Sequence, residues 1–259
     1  MSLFNGASAF VALVLISACF PGCGRADDTT LFGGIQAREY LRGRFSPAEH
    51  PLFVELSSMG IPTDGRQQYL RREAAEAFLA LYKSFRESHP HTPFRVVSAT
   101  RTWADQKWIW ENKWSGATPV DGTRLNEAYP GALGRAKIIL RYSSMPGTSR
   151  HHWGTDLDLN ELYNEYYDRG DGAILYQWMK INAGRFGFCQ PYTAGRTAGY
   201  QEERWHWSYV PLSAGFLSRW ETLFGASPAA FTADALFQGA VEAGHLAIIY
   251  VNAVNEACK

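Results

Sequence analysis

The segment TSRHHWGTDLDLN, Thr148 to Asn160, gathers two adjacent histidines, a tryptophan and two aspartates in a chain with seven histidines in all. It reads either as a polar loop around a satisfied histidine or as half of a metal site completed elsewhere. A catalytic zinc takes three protein ligands of His and Asp/Glu type, keeps a fourth position for water, and wants a carboxylate nearby to accept that water's proton. His151 and Asp158 lie seven apart across Gly154, a spacing that lets a loop and the strand after it converge on one point. His206 stands in EERWHWSYV, where extended alternation turns Trp205 and Trp207 away from it. Glu203, three residues earlier, is the candidate base. Positions three apart on a straight strand face opposite ways, so this role requires a bend between Glu203 and Trp205. Taken singly, each residue has a plainer reading: a satisfied histidine, core tryptophans, and a solvated Glu202–Glu203 pair.

The elements that must position these groups follow from periodicity. GRQQYLRREAAEAFLALYKSFRESH puts Tyr69, Leu70, Ala77, Phe78, Leu81 and Phe85 on one face, which predicts an amphipathic helix stopped by HPHTP. FRVVSATR, from Phe94, predicts a buried strand, and TWADQKWIWENKW a helix with Thr102 as N-cap and Trp103, Gln106 and Trp110 on related faces. Arg101 therefore falls at a strand-to-helix junction. Thr155 to Leu159 alternates, with Asp156 and Asp158 on one side and Thr155, Leu157 and Leu159 on the other. ILYQWMKINAGRFGF predicts a helix, apolar at Leu175, Trp178, Met179 and Ala183 and closed near Gly184 or Gly187, and ERWHWSYVP a further strand. Thr29 to Pro62 reads as an irregular lead-in, residues 115–148 as a glycine- and proline-punctuated flap or lobe, and the stretch after Leu212 as one or two helices. Separate helices and short strands argue for an α+β fold rather than a parallel doubly wound sheet.

Composition bounds the partners. With 46% hydrophobic and 19% charged residues the chain can bury one good core. Twenty-five basic residues balance twenty-five acidic ones, so no net field draws it to nucleic acid. Ala9 to Phe20 is almost purely apolar, too short for a comfortable membrane span and the right length for a signal-peptide core, which points to export. Ile16-Ser17-Ala18-Cys19 resembles the lipobox of bacterial lipoproteins, in which Cys19 would be acylated. No Lys or Arg precedes the apolar run, so a secreted form cut near Cys23 to Ala26 stands beside it. Cys189 and Cys258 are then the pair in the mature body, able to bridge in an oxidising compartment.

S-x-H-x-x-G-x-x-x-D occurs as Ser149, His151, Gly154 and Asp158, and E-x-W-H as Glu203, Trp205 and His206. Together these resemble the zinc D,D-carboxypeptidases of the VanY type, which trim peptidoglycan stem peptides. SATRTWADQ, MPGTSRHHWG and WMKINAGRFGF extend the likeness, in the right order, over roughly Phe94 to Val210. The resemblance implies a small antiparallel sheet flanked by helices, of the hedgehog/D,D-peptidase kind, with the zinc site on the sheet. It implies that His151, Asp158 and His206 bind Zn2+ and that Glu203 activates water. Arg101 would bind the terminal carboxylate or polarise the scissile carbonyl, and Ser98, Gln106 and Ser149 would line the subsite for the terminal residue. His152 falls where the pattern varies, as a group behind the ligands or at the rim. Asp156 replaces a small apolar residue, and would either hold a ligand histidine in its tautomer or alter specificity.

The implied organisation is a leader over 1–26, a lead-in over 27–66, a catalytic domain over 67–211 with an insertion at 112–147, and a C-terminal helical extension over 212–259. The implied function is a zinc-dependent D-alanyl-D-alanine carboxypeptidase acting on peptidoglycan stem peptides. An endopeptidase of the same superfamily, cleaving L,D bonds or cross-links, is the near alternative. A non-catalytic cell-wall binding module is the distant one. The expected setting is the periplasm or cell envelope, as a monomer, with membrane attachment only through a lipidated Cys19.

Overall fold

The structure is a computed structural model that describes residues 28–232 and 237–259. The expected leader, with Cys19, lies outside the described residues. In chain order the strands are β1 (Phe53–Glu55), β2 (Tyr69–Arg71), β3 (Val96–Ser98), β4 (Asp156–Leu159), β5 (Phe188–Cys189) and β6 (His206–Tyr209). The longer helices are α1 (Arg72–Ser88), α2 (Trp103–Trp114), α3 (Ala132–Ile139), α4 (Gly170–Asn182) and α5 (Val210–Ala226). β1 and β2 form a separate pair, and the other four strands make one antiparallel sheet in the order β3-β4-β6-β5. The α+β fold expected from the sequence is the one observed.

Register explains how this sheet carries charge. β4 and β6 pair Asp156 with Ser208, Leu157 with Trp207 and Asp158 with His206. Successive side chains alternate between faces, so Leu157, Leu159 and Trp207 enter an apolar cluster with Phe78, Leu81 and Phe85 of α1 and Leu175 and Met179 of α4. Asp156, Asp158, His206 and Ser208 are left on the other face. A second apolar cluster, holding Trp110 of α2, Ile139 of α3 and Trp220 of α5, reaches this charged row through Trp153 and Tyr192. The polar row is thus shut between two apolar layers, where ion pairs and hydrogen bonds are strong and unpaired groups costly.

Two expectations need correction. Tyr69 and Leu70 do not begin the amphipathic helix: they lie in β2, paired with β1, and α1 starts at Arg72. Tertiary hydrogen bonds override the helical period there, since Tyr69 O accepts from Thr100 N and Arg71 N donates to Gly154 O, at 3.0 and 2.9 Å. The lead-in is also not irregular. It holds short helices at Asp28–Leu31 and Ala37–Leu41 as well as β1, and it buries Phe32, Tyr40 and Leu41. Its aromatic rings pack on one another rather than along a helix, with Phe32 and Tyr40 centroids 4.9 Å apart, so no period marks them. The Thr102 cap is as expected, and Asp105 completes a reciprocal capping box.

Residues 115–148 fold as a lobe around the short helix Leu125–Ala128 and α3, burying Leu125, Ala136, Ile139 and Met145. Cys189 and Cys258 form a disulfide, with Cα atoms 5.6 Å apart and a sequence separation of 69. It ties the turn at Cys258 to the last residue of β5, aided by Asn255 N donating to Pro191 O at 2.8 Å and by Tyr250 packing on Tyr200. Closing a loop of this length restricts the unfolded chain, so Cys258→Ser should lower the unfolding free energy by about 2–4 kcal/mol. Urea titration with and without reductant checks this; a midpoint indifferent to reductant would refute the pairing. Among the described residues no helix is long and apolar enough to cross a membrane.

Candidate metal centre

The sheet and the turn before it bring three of the expected residues together. Asp158 and His206 are direct cross-strand neighbours, and His151 comes from a 3-10 turn, Arg150–Trp153, that runs into β4. Gly154 ends that turn at φ +75°, a left-handed conformation that favours glycine. A Cβ there would lie 2.4 Å from the Phe53 ring, so the residue also lets β1 close against the site. One ligand atom from each of His151, Asp158 and His206 falls within 4.8 Å of the others, and all three residues are buried.

The hydrogen bonds set both histidines as metal ligands need them. His151 Nδ1–H donates to Ala99 O at 2.7 Å, which leaves Nε2 with its lone pair. His206 Nε2–H donates to Asp156 Oδ2 at 2.9 Å, which leaves Nδ1 free to face Asp158 Oδ1 at 3.2 Å and Glu203 Oε2 at 3.3 Å. His151 Nε2 and Asp158 Oδ1 are buried and make no hydrogen bond of good geometry. Buried lone pairs that converge on one another without donors suit a cation, and a His-Asp-His set with room for a fourth ligand suits zinc.

Electrostatics point the same way. Burial disfavours a charged His206, yet hydrogen bonds to Asp156, Asp158 and Glu203 outweigh it, so without a metal the surrounding carboxylates favour a proton at Nδ1, the position a metal ion would take in its place. Burial pushes the Glu203 carboxyl up, against the opposing pull of His206. Asp156 and Asp158 are held well below the usual carboxylate range despite burial, by Arg150 and His206 for the first and by His151 and His206 for the second.

The required bend is present. Residues 204–205 form a turn before β6, His206 N donates to Glu203 O at 3.4 Å, and Glu203 swings onto the ligand face. Its backbone is fixed by Glu203 N donating to Tyr192 O at 2.9 Å and by Gln190 Nε2 donating to its carbonyl at 3.1 Å. Arg101 lies beside it, with Nη2 3.5 Å from Asp158 Oδ2 and Nη1 donating to Gln106 Oε1 at 3.1 Å. His152 is neither a ligand nor a rim residue. It is buried, and donates through Nδ1 to Arg101 O at 2.7 Å while accepting at Nε2 from Gly147 N.

Two hollows meet at the centre. A cleft of about 500 Å³ passes Asp158 between Trp108, Val120 and Tyr163. Beside it is a recess of about 20 Å³, walled by Ser144, Ser149, His151, Tyr192, Tyr200 and His206. Arg101, Tyr142, Ser143 and Glu203 border both. Of the expected subsite residues, Arg101 and Ser149 border the recess. Gln106 does not, because the capped helix turns it inward, where it braces Arg101 and donates to Ser144 O at 2.7 Å. Ser98 stands on β3 opposite Asp158 and borders neither hollow. Sequence reasoning missed Arg150, Lys113, Ser143, Tyr192 and Tyr200. Only Arg150 had a signal, since a buried Asp156 demands a counter-charge and Arg150 adjoins the histidines.

Comparison with known proteins gives the family. A curated D-alanyl-D-alanine carboxypeptidase of Enterococcus faecalis (strain ATCC 700802 / V583) is 34% identical over 73 residues, 27% of this chain. The match spans only 26% of that relative's length. A solved structure of the LdcB LD-carboxypeptidase is similar at TM-score 0.49 and 20% identity, over 68% of this chain and 76% of that one. The vancomycin-resistance D,D-pentapeptidase VanY in complex with Zn(II) is similar at TM-score 0.46 and 22% identity, over 62% and 83% of the two chains. The family profile described as VanY, D-alanyl-D-alanine carboxypeptidase, matches residues 67–212, more than half of the 259 residues, and the chain belongs to that family.

Proposed function

We propose that this protein is a zinc-dependent carboxypeptidase that removes a small C-terminal residue, D-alanine, from peptidoglycan stem peptides. The observation that carries the reading is the convergence of His151, Asp158 and His206 beside the buried Glu203, with Asp156 fixing the His206 tautomer. Zinc held by those three residues would supply Lewis acidity to an attacking water and to the scissile carbonyl. Glu203 is placed to take the water's proton and pass it to the departing amine nitrogen, both steps lying on one face of the site. Arg101 offers guanidinium N–H groups to the oxygen on which negative charge develops, and Gln106 and Asp158 hold it in position.

The recess supports a carboxypeptidase over an endopeptidase. Its volume of about 20 Å³ is filled by one small group, with Tyr192 and Tyr200 in its wall, so a short chain end suits it better than a continuing chain. The peptide before the scissile bond would lie in the larger cleft, which mixes aromatic and polar residues. Export to the envelope accords with the disulfide, which belongs to oxidising compartments.

Zinc-loaded protein incubated with a pentapeptide ending in D-Ala-D-Ala should release a single alanine, seen by mass spectrometry. Release of a dipeptide or cleavage of cross-linked muropeptides alone would replace the reading with the endopeptidase. Stoichiometric zinc with no cleavage of either would favour the binding module.

A further inference from the structure

Lys113 lies in the last turn of α2, where its long side chain reaches into the cleft rather than into solvent. Its Nζ donates to Ser143 Oγ at 2.6 Å. Among the described residues no carboxylate comes within ion-pair distance of it, although the cleft is rich in them. Three of the four acids that line the cleft are paired elsewhere, Asp121 with Arg141, Glu203 with His206, and Asp158 with His206 and Arg101, and the fourth, Glu165, makes no ion pair with Lys113. An ammonium has three donors, and the protein uses one of them. Burial pushes Lys113 down to about 8, which leaves it mainly charged at neutral pH.

The position of Ser143 locates that charge. Ser143 borders both the recess and the cleft, so the ammonium, which itself lines the cleft, lies one hydrogen bond from a residue shared by the two. In a peptide cut before its last residue, the terminal carboxylate carbon is only three covalent bonds from the scissile carbonyl carbon, within about 4 Å. Whatever binds that carboxylate must therefore stand at the edge of the reacting centre. Arg101 is braced by Gln106 and Asp158 beside the metal ligands, which suits it to the reacting carbonyl and leaves it less free to serve both groups.

Resting on the carboxypeptidase reading, we propose that Lys113 is a specificity-determining residue that pairs with the substrate's C-terminal carboxylate, leaving Arg101 to the scissile carbonyl. An unmet, half-sequestered ammonium pays no pairing cost until a free chain end arrives, and a blocked or continuing end leaves it unpaired. Lys113 thereby favours chain ends over internal bonds.

The test compares kcat and KM for two peptides, one ending in D-Ala-D-Ala as the free acid and one as its C-terminal amide, with parent, Lys113→Met and Lys113→Arg proteins. A charge-assisted hydrogen bond in such a site is worth about 10- to 100-fold, so Lys113→Met should raise KM for the acid by that factor and leave the amide nearly unaffected. The acid-to-amide preference should collapse accordingly, and Lys113→Arg should restore much of it. A merely structural tether to Ser143 would depress both peptides alike. An acid-to-amide ratio unchanged in Lys113→Met overturns the assignment while the carboxypeptidase reading stands. A parent protein that cleaves neither peptide overturns that reading, and this assignment with it.

Discussion

Glu203→Gln is expected to lower kcat on a D-Ala-D-Ala peptide by about 10³-fold, in the range of lost general acid–base catalysis, with zinc still bound one per chain. The expectation follows from how little else the change disturbs. Glu203 is buried, and its backbone is held by Tyr192 and Gln190 whichever side chain it carries. Glutamine keeps the shape and the acceptor oxygen that faces His206 Nδ1 at 3.3 Å, but it cannot take a proton from water. Zinc content after dialysis, the circular dichroism spectrum and steady-state kinetics separate the cases. A fall of less than tenfold would mean that another group accepts the proton. Loss of zinc together with activity would recast Glu203 as a fourth ligand.

What could be read from the sequence divides along a physical line. Asp158 and His206 were legible as residues of one polar face because DLDL and HWSY each alternate, and His151 as a loop residue seven before Asp158, while their joining into one ligand set was implied by the family resemblance. The bend at Glu203 could be demanded from the same geometry, since a straight strand would have sent the carboxylate into the apolar layer with Trp207. The helix cap at Thr102 was legible because a capping box is a four-residue event.

Long-range effects were not legible. Tyr69 and Leu70 fit the helical period of the residues after them, and only hydrogen bonds to Thr100 and a pairing with β1 make them a strand. Gln106 was assigned to the subsite through the family resemblance, but whether it meets substrate or braces the arginine depends on Ser144, 38 residues away. Lys113 gave no sign at all. A lysine in a helical last turn ordinarily complements the helix dipole in water, and here the lobe formed by residues 115–148 closes over it and gives it Ser143.

Asp156→Ala is expected to weaken zinc binding by about 10- to 100-fold and to destabilise the fold by about 3–5 kcal/mol, two effects of one carboxylate. Asp156 is fully buried and accepts from Thr155 Oγ1 at 2.7 Å, Ser208 Oγ at 2.8 Å, Arg150 Nε at 3.1 Å and His206 Nε2 at 2.9 Å. Removing it strands the Arg150 guanidinium, itself buried and lying over the Trp153 ring at 4.7 Å, without its counter-charge. That unpaired charge accounts for the stability loss. The affinity loss has a different origin: without an acceptor at Nε2, the His206 ring is free to carry its proton at Nδ1, the atom that faces Asp158. An Arg150→Met/Asp156→Leu double variant therefore distinguishes the two. Replacing a buried ion pair by apolar side chains is often close to neutral, so the double variant should regain much of the stability and none of the zinc affinity. Chelator competition and urea titration on the three proteins read the two quantities independently. Zinc affinity recovering in step with stability would show that Asp156 acts on the metal centre only through the fold, and would remove its role in orienting His206.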